Sequence, residues 1–375
     1  MRLLAALFIL FFTASCGSKR SEISDISSVN NIIKIAERLS IERKDGYSVV
    51  RIINPWQGAE TVEFKFILLQ PGYNIPGGYE KYPVIHVPVN KMICMSATHL
   101  AMVDALGEDS TISGISGKNY VFNTRIKNLI DDDLIKDVGY EAALNNELIL
   151  KLNPEVIMPY GIGSESSGYL GKIMETGIQI LYNADYLEED PLGKAEWIKL
   201  FGALYCKEKL ADSIFDSEVI KYDSIKAFID KNRLKKPIVL LGLPYKDTWY
   251  ISPGNSYISR LISDAGGKYL WEDVISSESM PTGIENVYIR AMNADFWLNA
   301  GTSESIADII LLDERLGTLP CIKNAYNNNL RLNITGGNDY WEIGTLHPHL
   351  VLLDIASILH PDLFPDHKLR FYRKL

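Results

Sequence analysis

The sequence predicts an α/β protein with two Rossmann-like lobes, each with a parallel sheet, joined by one long helix and preceded by an added N-terminal β element. Apolar strand patterns alternate with helical patterns in both halves of the chain, which is typical of parallel sheets with crossover helices. Two stretches, NPEVIMPYG at 153–161 and NADFWLNAG at 293–301, share an initial Asn, an acidic third residue, an apolar run and a final Gly. Between the halves, the segment from Lys194 to Asn232 contains no proline and keeps a broadly helical rhythm of apolar residues.

The composition fits a globular protein of two domains. The chain has 375 residues, of which 47% are hydrophobic and 23% are charged. Its formal net charge of -9 argues against a general nucleic-acid-binding protein, which needs a basic surface for phosphate groups. We therefore expect no nucleic acid among its partners.

The first residues have the pattern of a secretory signal. Arg2 precedes the apolar run LLAALFILFF, and small residues follow up to Cys16. The run is about half of the ~20 residues that a membrane-spanning helix needs. We predict a signal peptide at 1–15, followed at 16–45 by a lipid-anchored tether with a short helix, IIKIAERL. TASC is similar to the cleavage site of bacterial lipoproteins, in which Cys16 becomes the acylated first residue; the alternative is an ordinary signal peptide with an incidental cysteine.

The remaining units follow in order along the chain. Residues 46–82 are predicted to form an N-terminal β extension, because GYSVVRIINPW and VEFKFILLQPG have strand patterns. The N-lobe at 83–205 begins with the strand MICMS and the helix ATHLAMVDALG. The connecting helix is predicted at 206–234 and would hold the lobes at a nearly fixed angle; the alternative is two ordinary helices packed on one lobe. The C-lobe at 235–375 begins with the strand PIVLLGL and ends in a C-terminal helix.

Three cysteines remain if Cys16 is acylated, namely Cys94, Cys206 and Cys321. They cannot all pair, so no disulfide framework is expected to hold the fold. Cys94 lies within a strand pattern, and its simplest interpretation is a small core residue.

Four segments carry a resemblance to a known family. They are KMICMSATHLAMVDALGEDSTISGIS, NELILKLNPEVIM, WYISPGNSYISRLISDAGGKYL and HPHLVLLDIASILHPDLF, in this order. Together they resemble the substrate-binding lipoproteins of ATP-driven (ABC) importers, in the subclass with a single helix as backbone, over roughly Pro83 to Leu375. The resemblance implies a monomer of the bacterial periplasm or cell envelope, attached to the membrane through its lipid anchor only. Its partners would be an ABC permease with its ATPase, and its ligand a ferric siderophore, haem or cobalamin.

The resemblance also implies two docking residues. In this family, one exposed glutamate on each lobe docks to arginines of the membrane permease. Glu147 matches the first by its distance to Pro154, and Glu285 matches the second, although Ala294 replaces the usual proline. A carboxylate at the start of a helix is favoured by the helix dipole, so the alternative is that each glutamate merely caps its helix.

Ligand contacts are expected from the loops at the carboxyl ends of the strands, where open α/β sheets bind. Aromatic side chains there can lie flat on a macrocycle or an aromatic chelate, and Lys118 can contact an anionic group. His99 stands where the family often has glutamate. The expected ligand-binding residues are Ser96, Thr98, His99, Lys118, Asn119, Tyr120, Tyr160, Tyr245, Trp249, Tyr250, Asn299, Asp339, Tyr340 and Trp341.

Catalytic and free-metal motifs are missing from the sequence. The six histidines form no HExxH motif, and there is no cysteine pair beside them. His347 and His349 flank Pro348, which is typical of a turn at the start of a helix. We therefore expect no cofactor, no metal ligand set and no enzymatic activity. The predicted function is capture of an iron chelate in the inter-lobe cleft and delivery to the permease. A cobalamin carrier is the first alternative, and a cell-surface α/β hydrolase is the alternative from another class.

Overall fold

The structure, a computed structural model, describes residues 30–140, 143–159, 170–171, 173–232 and 235–375. The predicted signal peptide, Cys16 and Tyr160 lie outside the described residues. Within those ranges, no helix is both long enough and apolar enough to cross a membrane. The three described cysteines have free thiols, and Cys94 is buried as expected for a core residue.

The N-terminal β element is a four-stranded sheet that packs on the first lobe. Its strands, in spatial order, are β1 (Leu39–Lys44), β2 (Tyr47–Ile53), β3 (Glu63–Leu69) and β4 (Val84–His86). The first three strands pair antiparallel, and β4 pairs parallel with β3. The sheet therefore extends beyond the predicted bounds of 46–82 at both ends. Its buried residues, such as Ile41 and Phe66, belong to the same hydrophobic core as Trp197 and Phe201, so the sheet and the lobe share one core.

The short helix predicted for IIKIAERL is absent, and residues 32–38 form a bent segment that leads into β1. Two buried carboxylates accept its backbone N–H groups in place of helical carbonyl groups. Glu196 accepts the N–H groups of residues 34–36 at 2.7–3.1 Å, and Glu188 accepts those of residues 37 and 38. The helix-like apolar spacing has another cause, since three residues at intervals of three are buried in the shared core: Ile33, Ala36 and Leu39.

The first lobe is a five-stranded parallel sheet with helices around it. Its spatial order is β7-β6-β5-β8-β9, and every neighbouring pair is parallel. The strands are β5 (Met92–Cys94), β6 (Ile112–Ile115), β7 (Lys136–Asp137), β8 (Val156–Met158) and β9 (Gln179–Ile180). The helices of this part are α1 (Ala97–Ala105), α2 (Thr124–Asp131), α3 (Asn146–Leu152), α4 (Pro191–Glu196) and α5 (Ile198–Leu204).

A single helix, α6 (Glu208–Lys231), connects the two lobes. Its 24 residues correspond to a length of about 36 Å. It packs on α5 of the first lobe and on the C-terminal helix (Pro348–Leu359) of the second. The alternative of two helices packed on one lobe therefore does not hold. Buried residues recur along one stripe of α6, namely Ala211, Phe215, Glu218, Tyr222 and Ile229.

The second lobe contains a five-stranded sheet and a small antiparallel sheet. The larger sheet has the order β13-β10-β15-β16-β17 and is parallel except for β17, and the smaller has the order β11-β12-β14. The strands are β10 (Ile238–Leu241), β11 (Pro244–Tyr245), β12 (Thr248–Ile251), β13 (Lys268–Tyr269), β14 (Met280–Gly283), β15 (Phe296–Leu298), β16 (Ala325–Asn327) and β17 (Arg373–Lys374). The helices are α7 (Tyr257–Asp264), α8 (Ile284–Ala291), α9 (Ile306–Leu312), α10 (Asp339–Glu342) and α11 (Pro348–Leu359).

The two repeated stretches occupy equivalent places in the two lobes. NPEVIMPYG contains β8, which pairs parallel with β5, and NADFWLNAG contains β15, which pairs parallel with β10. Ile93 lies opposite Ile157 in the first lobe, and Leu240 lies opposite Trp297 in the second. The predicted fold class of two α/β lobes joined by one long helix is confirmed.

We predict that Glu196→Ala lowers the free energy of unfolding by about 3–5 kcal/mol, because it removes one partner of a buried ion pair. The variant leaves three backbone N–H groups without their acceptor and takes the carboxylate from Lys199, whose Nζ lies 2.7 Å from it. Urea unfolding of the purified protein measures the change. Glu60→Ala, at an exposed position, is the control and should change stability by less than about 0.5 kcal/mol. Equal stability of the two variants would show that Glu196 does not anchor the N-terminal segment.

Candidate functional site

The two lobes contact each other directly where α1 packs on α10. The carboxylate of Glu342, in α10, accepts the backbone N–H groups of Phe122 at 2.7 Å and Asn123 at 2.9 Å, in the loop before α2. The side-chain amide of Asn333 donates to the Val121 carbonyl at 2.9 Å. These hydrogen bonds cross from one lobe to the other and hold the lobes in contact.

Glu342 is buried at this contact, and this burial changes the pKa of its carboxyl group. Burial raises the pKa of Glu342 to about 7, whereas the N–H groups of Phe122 and Asn123 act in the opposite direction. The folded-state pKa thus lies above the ordinary value of 4.5. Stabilisation by the protonated form is therefore complete in acid and is lost as the pH rises through about 7.

A cavity of about 190 Å³ lies between the lobes beside this contact. Drug-sized ligands usually occupy pockets of roughly 300–1,000 Å³, so this cavity accommodates one portion of a larger ligand. Both lobes contribute to its wall. The lining residues are Thr98, Asp185, Tyr186 and Lys194 from the first lobe, and Tyr257, Tyr340, Trp341 and Thr345 from the second.

Lys194 supplies a cationic group to the cavity. Its Nζ donates to the carbonyl of Tyr186 at 3.2 Å and lies 4.5 Å from the centroid of the Tyr257 ring. Burial lowers the pKa of Lys194, although the carboxylate of Asp185 acts in the opposite direction. Burial likewise raises the pKa of Asp185, although Lys194 and a hydrogen bond from Thr98 oppose this change. The cavity therefore combines a partly desolvated amine with an aromatic face, which suits a ligand that has both an anionic group and a flat apolar surface.

The indole of Trp341 forms the exposed part of the aromatic wall. Its side chain is 57% exposed, whereas the neighbouring Tyr340 is only 3% exposed. The two rings meet edge to face at 4.8 Å, and Tyr340 also contacts the rings of Phe371 and Tyr372. An indole held by a buried aromatic cluster can lie against a flat ligand with little loss of side-chain freedom.

Four of the predicted ligand-binding residues lie in or next to the cavity. Thr98, Tyr340 and Trp341 line it, and Ser96 caps α1 beside it by accepting the N–H group of Thr98 at 3.3 Å. These positions follow strand β5 or belong to α10 at the lobe contact. Their role as ligand contacts remains a prediction.

Trp249 does not face the inter-lobe space, contrary to the prediction. It is 1% exposed, and its indole N–H donates to the carbonyl of Leu241 at 2.9 Å. Its ring packs on that of Trp297 at 5.8 Å. The reason is the alternation along β12, which points Trp249 inward and its neighbour Tyr250 outward.

His99 and Asp339 are also structural rather than exposed. His99 is fully buried near the ring of Phe201, and burial lowers its pKa to about 3, although the backbone of Met158 raises it. Helix α1 directs this side chain toward the interior. The carboxylate of Asp339 is buried and pairs with the guanidinium of Arg331 at 2.6 Å, and this residue lines a separate cavity of about 320 Å³ at the lobe contact.

The remaining predicted contacts do not line the cavity. Asn299 accepts a hydrogen bond from the hydroxyl of Tyr372 at 2.8 Å, which holds its side chain against the second lobe. Tyr160 lies outside the described residues. Five residues are exposed in loops or on the small antiparallel sheet and remain available to parts of a ligand outside the cavity: Lys118, Asn119, Tyr120, Tyr245 and Tyr250.

Glu147 and Glu285 lie at equivalent positions of the two lobes. Each is exposed and belongs to the first turn of a helix, α3 or α8, that precedes a strand of the repeated stretch. The N–H group of Glu285 itself and the guanidinium of Arg315, 3.3 Å away, lower the pKa of Glu285. The placement is compatible with docking and also with simple capping, so docking remains a prediction.

Five residues of the cavity wall are not among the predicted contacts, namely Asp185, Tyr186, Lys194, Tyr257 and Thr345. The first three follow β9, which has only two residues and therefore no recognisable strand pattern. The sequence does contain a pattern that predicts a binding loop here. The apolar run ILY at 180–182 is followed by the polar and aromatic residues NADY, as after the other strands.

Several known proteins are similar to this chain in sequence or in fold. An uncharacterized lipoprotein of Methanocaldococcus jannaschii is 29% identical over 371 residues, covering 92% of this chain and 86% of its own length. A periplasmic haem-binding protein from Pseudomonas aeruginosa has a similar fold, with a TM-score of 0.56 at 15% identity, covering 73% of this chain and 93% of that one. A possible iron-binding periplasmic solute-binding protein from Staphylococcus epidermidis has a TM-score of 0.55 at 17% identity, and the match covers 73% of this chain and 99% of that one.

The profile of one protein family matches residues 92–326, which is more than half of the chain. The match runs from β5 into β16 and so includes the parallel strands of both lobes, the connecting helix and the cavity residues of α4 and α7. Members of this family bind solutes and are not enzymes, so the resemblance and the expected lack of catalysis are confirmed, and the hydrolase alternative is not supported. The chain belongs to the periplasmic binding protein family.

Proposed function

We propose that this protein is the substrate-binding component of an ABC importer, which captures an iron chelate, a ferric siderophore or haem, between its lobes and delivers it to the permease. The observation that carries the proposal is the inter-lobe cavity, where the amine of Lys194 lies beside the aromatic groups of Tyr257 and Trp341. Iron chelates of these kinds present flat or aromatic faces together with anionic groups. Such a ligand matches both features of the wall.

The names of the structural relatives support the choice of ligand. One solved structure of similar fold is a periplasmic haem-binding protein, and another is a possible iron-binding protein. Cobalamin is the alternative, because it also has a large flat ring and the same cavity residues suit it. Identification of the bound ligand distinguishes an iron chelate from cobalamin.

The lipid anchor and the importer complete the proposal. Two relatives of the chain are lipoproteins, and the similarity of the TASC stretch to a lipoprotein cleavage site supports acylation at Cys16. A protein anchored there by lipid alone stays next to the membrane that contains the permease and its ATPase. A monomer with one exposed carboxylate on each lobe, Glu147 and Glu285, then presents both charges to one permease.

The test of this proposal is to purify the protein from its native source and to measure its absorbance spectrum and its metal content. Haem gives a Soret band with iron, a ferric siderophore gives iron without a porphyrin spectrum, and cobalamin gives cobalt. Either iron result supports the proposal. Cobalt supports the alternative, and a ligand without any metal contradicts both.

We predict that Trp341→Ala weakens haem binding by about 1–3 kcal/mol, because the exposed indole is an aromatic anchor of the cavity. Binding to the wild-type protein should quench tryptophan fluorescence, and the variant should lose part of that quenching. Titration of haem into both proteins measures the affinity. Tyr73→Ala removes an exposed aromatic residue of the loop between β3 and β4 and serves as the control. Equal affinities of the Trp341 variant and the wild type would remove this residue from the site.

The docking residues are predicted to affect transport without affecting ligand affinity. Two exposed charges that meet permease arginines contribute mainly to orientation and encounter rate, and that contribution falls as salt rises. The double variant Glu147→Ala, Glu285→Ala should therefore bind ligand normally but transport it more slowly than either single variant. Uptake assays with reconstituted permease measure the effect.

The matched control for this double variant is Glu175→Ala, Glu278→Ala, which also removes one exposed glutamate from each lobe. It should transport normally. If the Glu147 and Glu285 double variant transports as well as this control, the two glutamates only cap their helices.

A further inference from the structure

The connecting helix has a carboxylate in its buried stripe. Buried positions of α6 recur at intervals of three or four residues, and Glu218 occupies one of them between Phe215 and Tyr222. Its side chain is only 1% exposed. Burying a charged carboxylate costs free energy unless other groups pair with it. We therefore expect Glu218 to have charged or hydrogen-bonding partners.

Two histidines from the start of α11 face this carboxylate. Nδ1 of His347 lies 3.0 Å from Oε1 of Glu218, and Nδ1 of His349 contacts Oε2. Pro348 stands between them at the first position of the helix, so its fixed backbone sets the direction of both neighbours. The ligand atoms of the three residues all lie within 4.8 Å of one another.

This combination is a metal-ligand set as well as a hydrogen-bonded cluster. Two imidazoles and one carboxylate form a common three-ligand site for Zn²⁺, which keeps a fourth position open for water. The imidazole rings are partly buried and come from one short segment, so little ordering is needed to bind an ion. Hard cations such as Mg²⁺ and Ca²⁺ prefer oxygen ligands and do not match two imidazoles.

The surroundings permit an ion to enter and to stay. His347 also lines a cavity of about 320 Å³ at the lobe contact, which offers space for water at the open position. Nζ of Lys221 lies 3.1 Å from Oε1 of Glu218, but its side chain is 48% exposed and can turn toward solvent when a cation replaces it.

We propose that Glu218, His347 and His349 form a Zn²⁺ site that joins the connecting helix α6 to the C-terminal helix α11. The site shares no residue with the 190 Å³ cavity and does not depend on the identity of the transported ligand. The ion fixes the second lobe to the helix that carries both lobes. The ion is bound between two helices of the protein and is distinct from the transported cargo.

Calorimetric titration of Zn²⁺ into the purified full-length protein, after treatment with a chelator, tests the proposal. Cys206→Ser is included in every variant, because this exposed thiol is a competing ligand. We expect one Zn²⁺ ion per chain, no competition by Mg²⁺ or Ca²⁺, and a rise in melting temperature on Zn²⁺ addition. His347→Ala, His349→Ala and Glu218→Gln should each weaken binding by at least about tenfold, since loss of even an outer partner of a metal site costs 10–100-fold.

His86→Ala is the matched control, because it removes an exposed histidine from strand β4 of the N-terminal sheet and leaves α6 and α11 unchanged. It should leave Zn²⁺ affinity unchanged. X-ray absorption of the zinc-loaded protein gives a readout that needs no variant to fold, and it should show two imidazole ligands and oxygen. Sulfur ligation, a wild-type protein that binds no Zn²⁺, or folded His349→Ala protein with wild-type affinity would each overturn the proposal.

Discussion

One continuous helix, α6, determines how the two lobes are arranged. A continuous helix of 24 residues cannot bend like a glycine linker, and α6 packs along its length on α5 of one lobe and α11 of the other. The helix therefore limits how far the angle between the lobes can change. Lobes constrained in this way reduce the ordering cost that a large domain closure would add to binding.

Three buried carboxylates connect parts of the chain that are distant in sequence. Glu196 holds the N-terminal segment against the first lobe, Glu218 connects the two helices α6 and α11, and Glu342 connects the two lobes. In each case backbone N–H groups or histidine side chains surround the carboxylate, as the high cost of an unpaired buried charge demands.

The architecture was predictable because its signals are regular. In the sequence, the apolar runs around Ile157 and Trp297 are each followed by a glycine, and both runs form the strand next to the first strand of their lobe. The connecting helix was predictable from its apolar rhythm and its lack of proline. The prediction of a short helix at 32–39 was wrong. Apolar spacing alone cannot distinguish a helix from a bent segment whose backbone N–H groups donate to distant carboxylates.

The site was less predictable, because side-chain direction depends on tertiary packing. Trp249 and Tyr250 are neighbours with similar sequence context, yet one is buried and the other exposed. Lys194 was missed because it lies on a helix and not in a loop after a clear strand. The contact between Glu218 and His347 depends on how α11 packs on α6. It could not be predicted from the sequence, because the two residues are far apart along the chain.

If an iron chelate is captured between the lobes, its contacts lie on the wall of the cavity. Hydrogen exchange of the purified protein, with and without haem, locates these contacts. We predict slower exchange in segments 185–194 and 340–345, which contain lining residues of the cavity, and unchanged exchange in the connecting helix. Haem binding that leaves both segments unchanged, or that protects only residues outside the inter-lobe space, would contradict it.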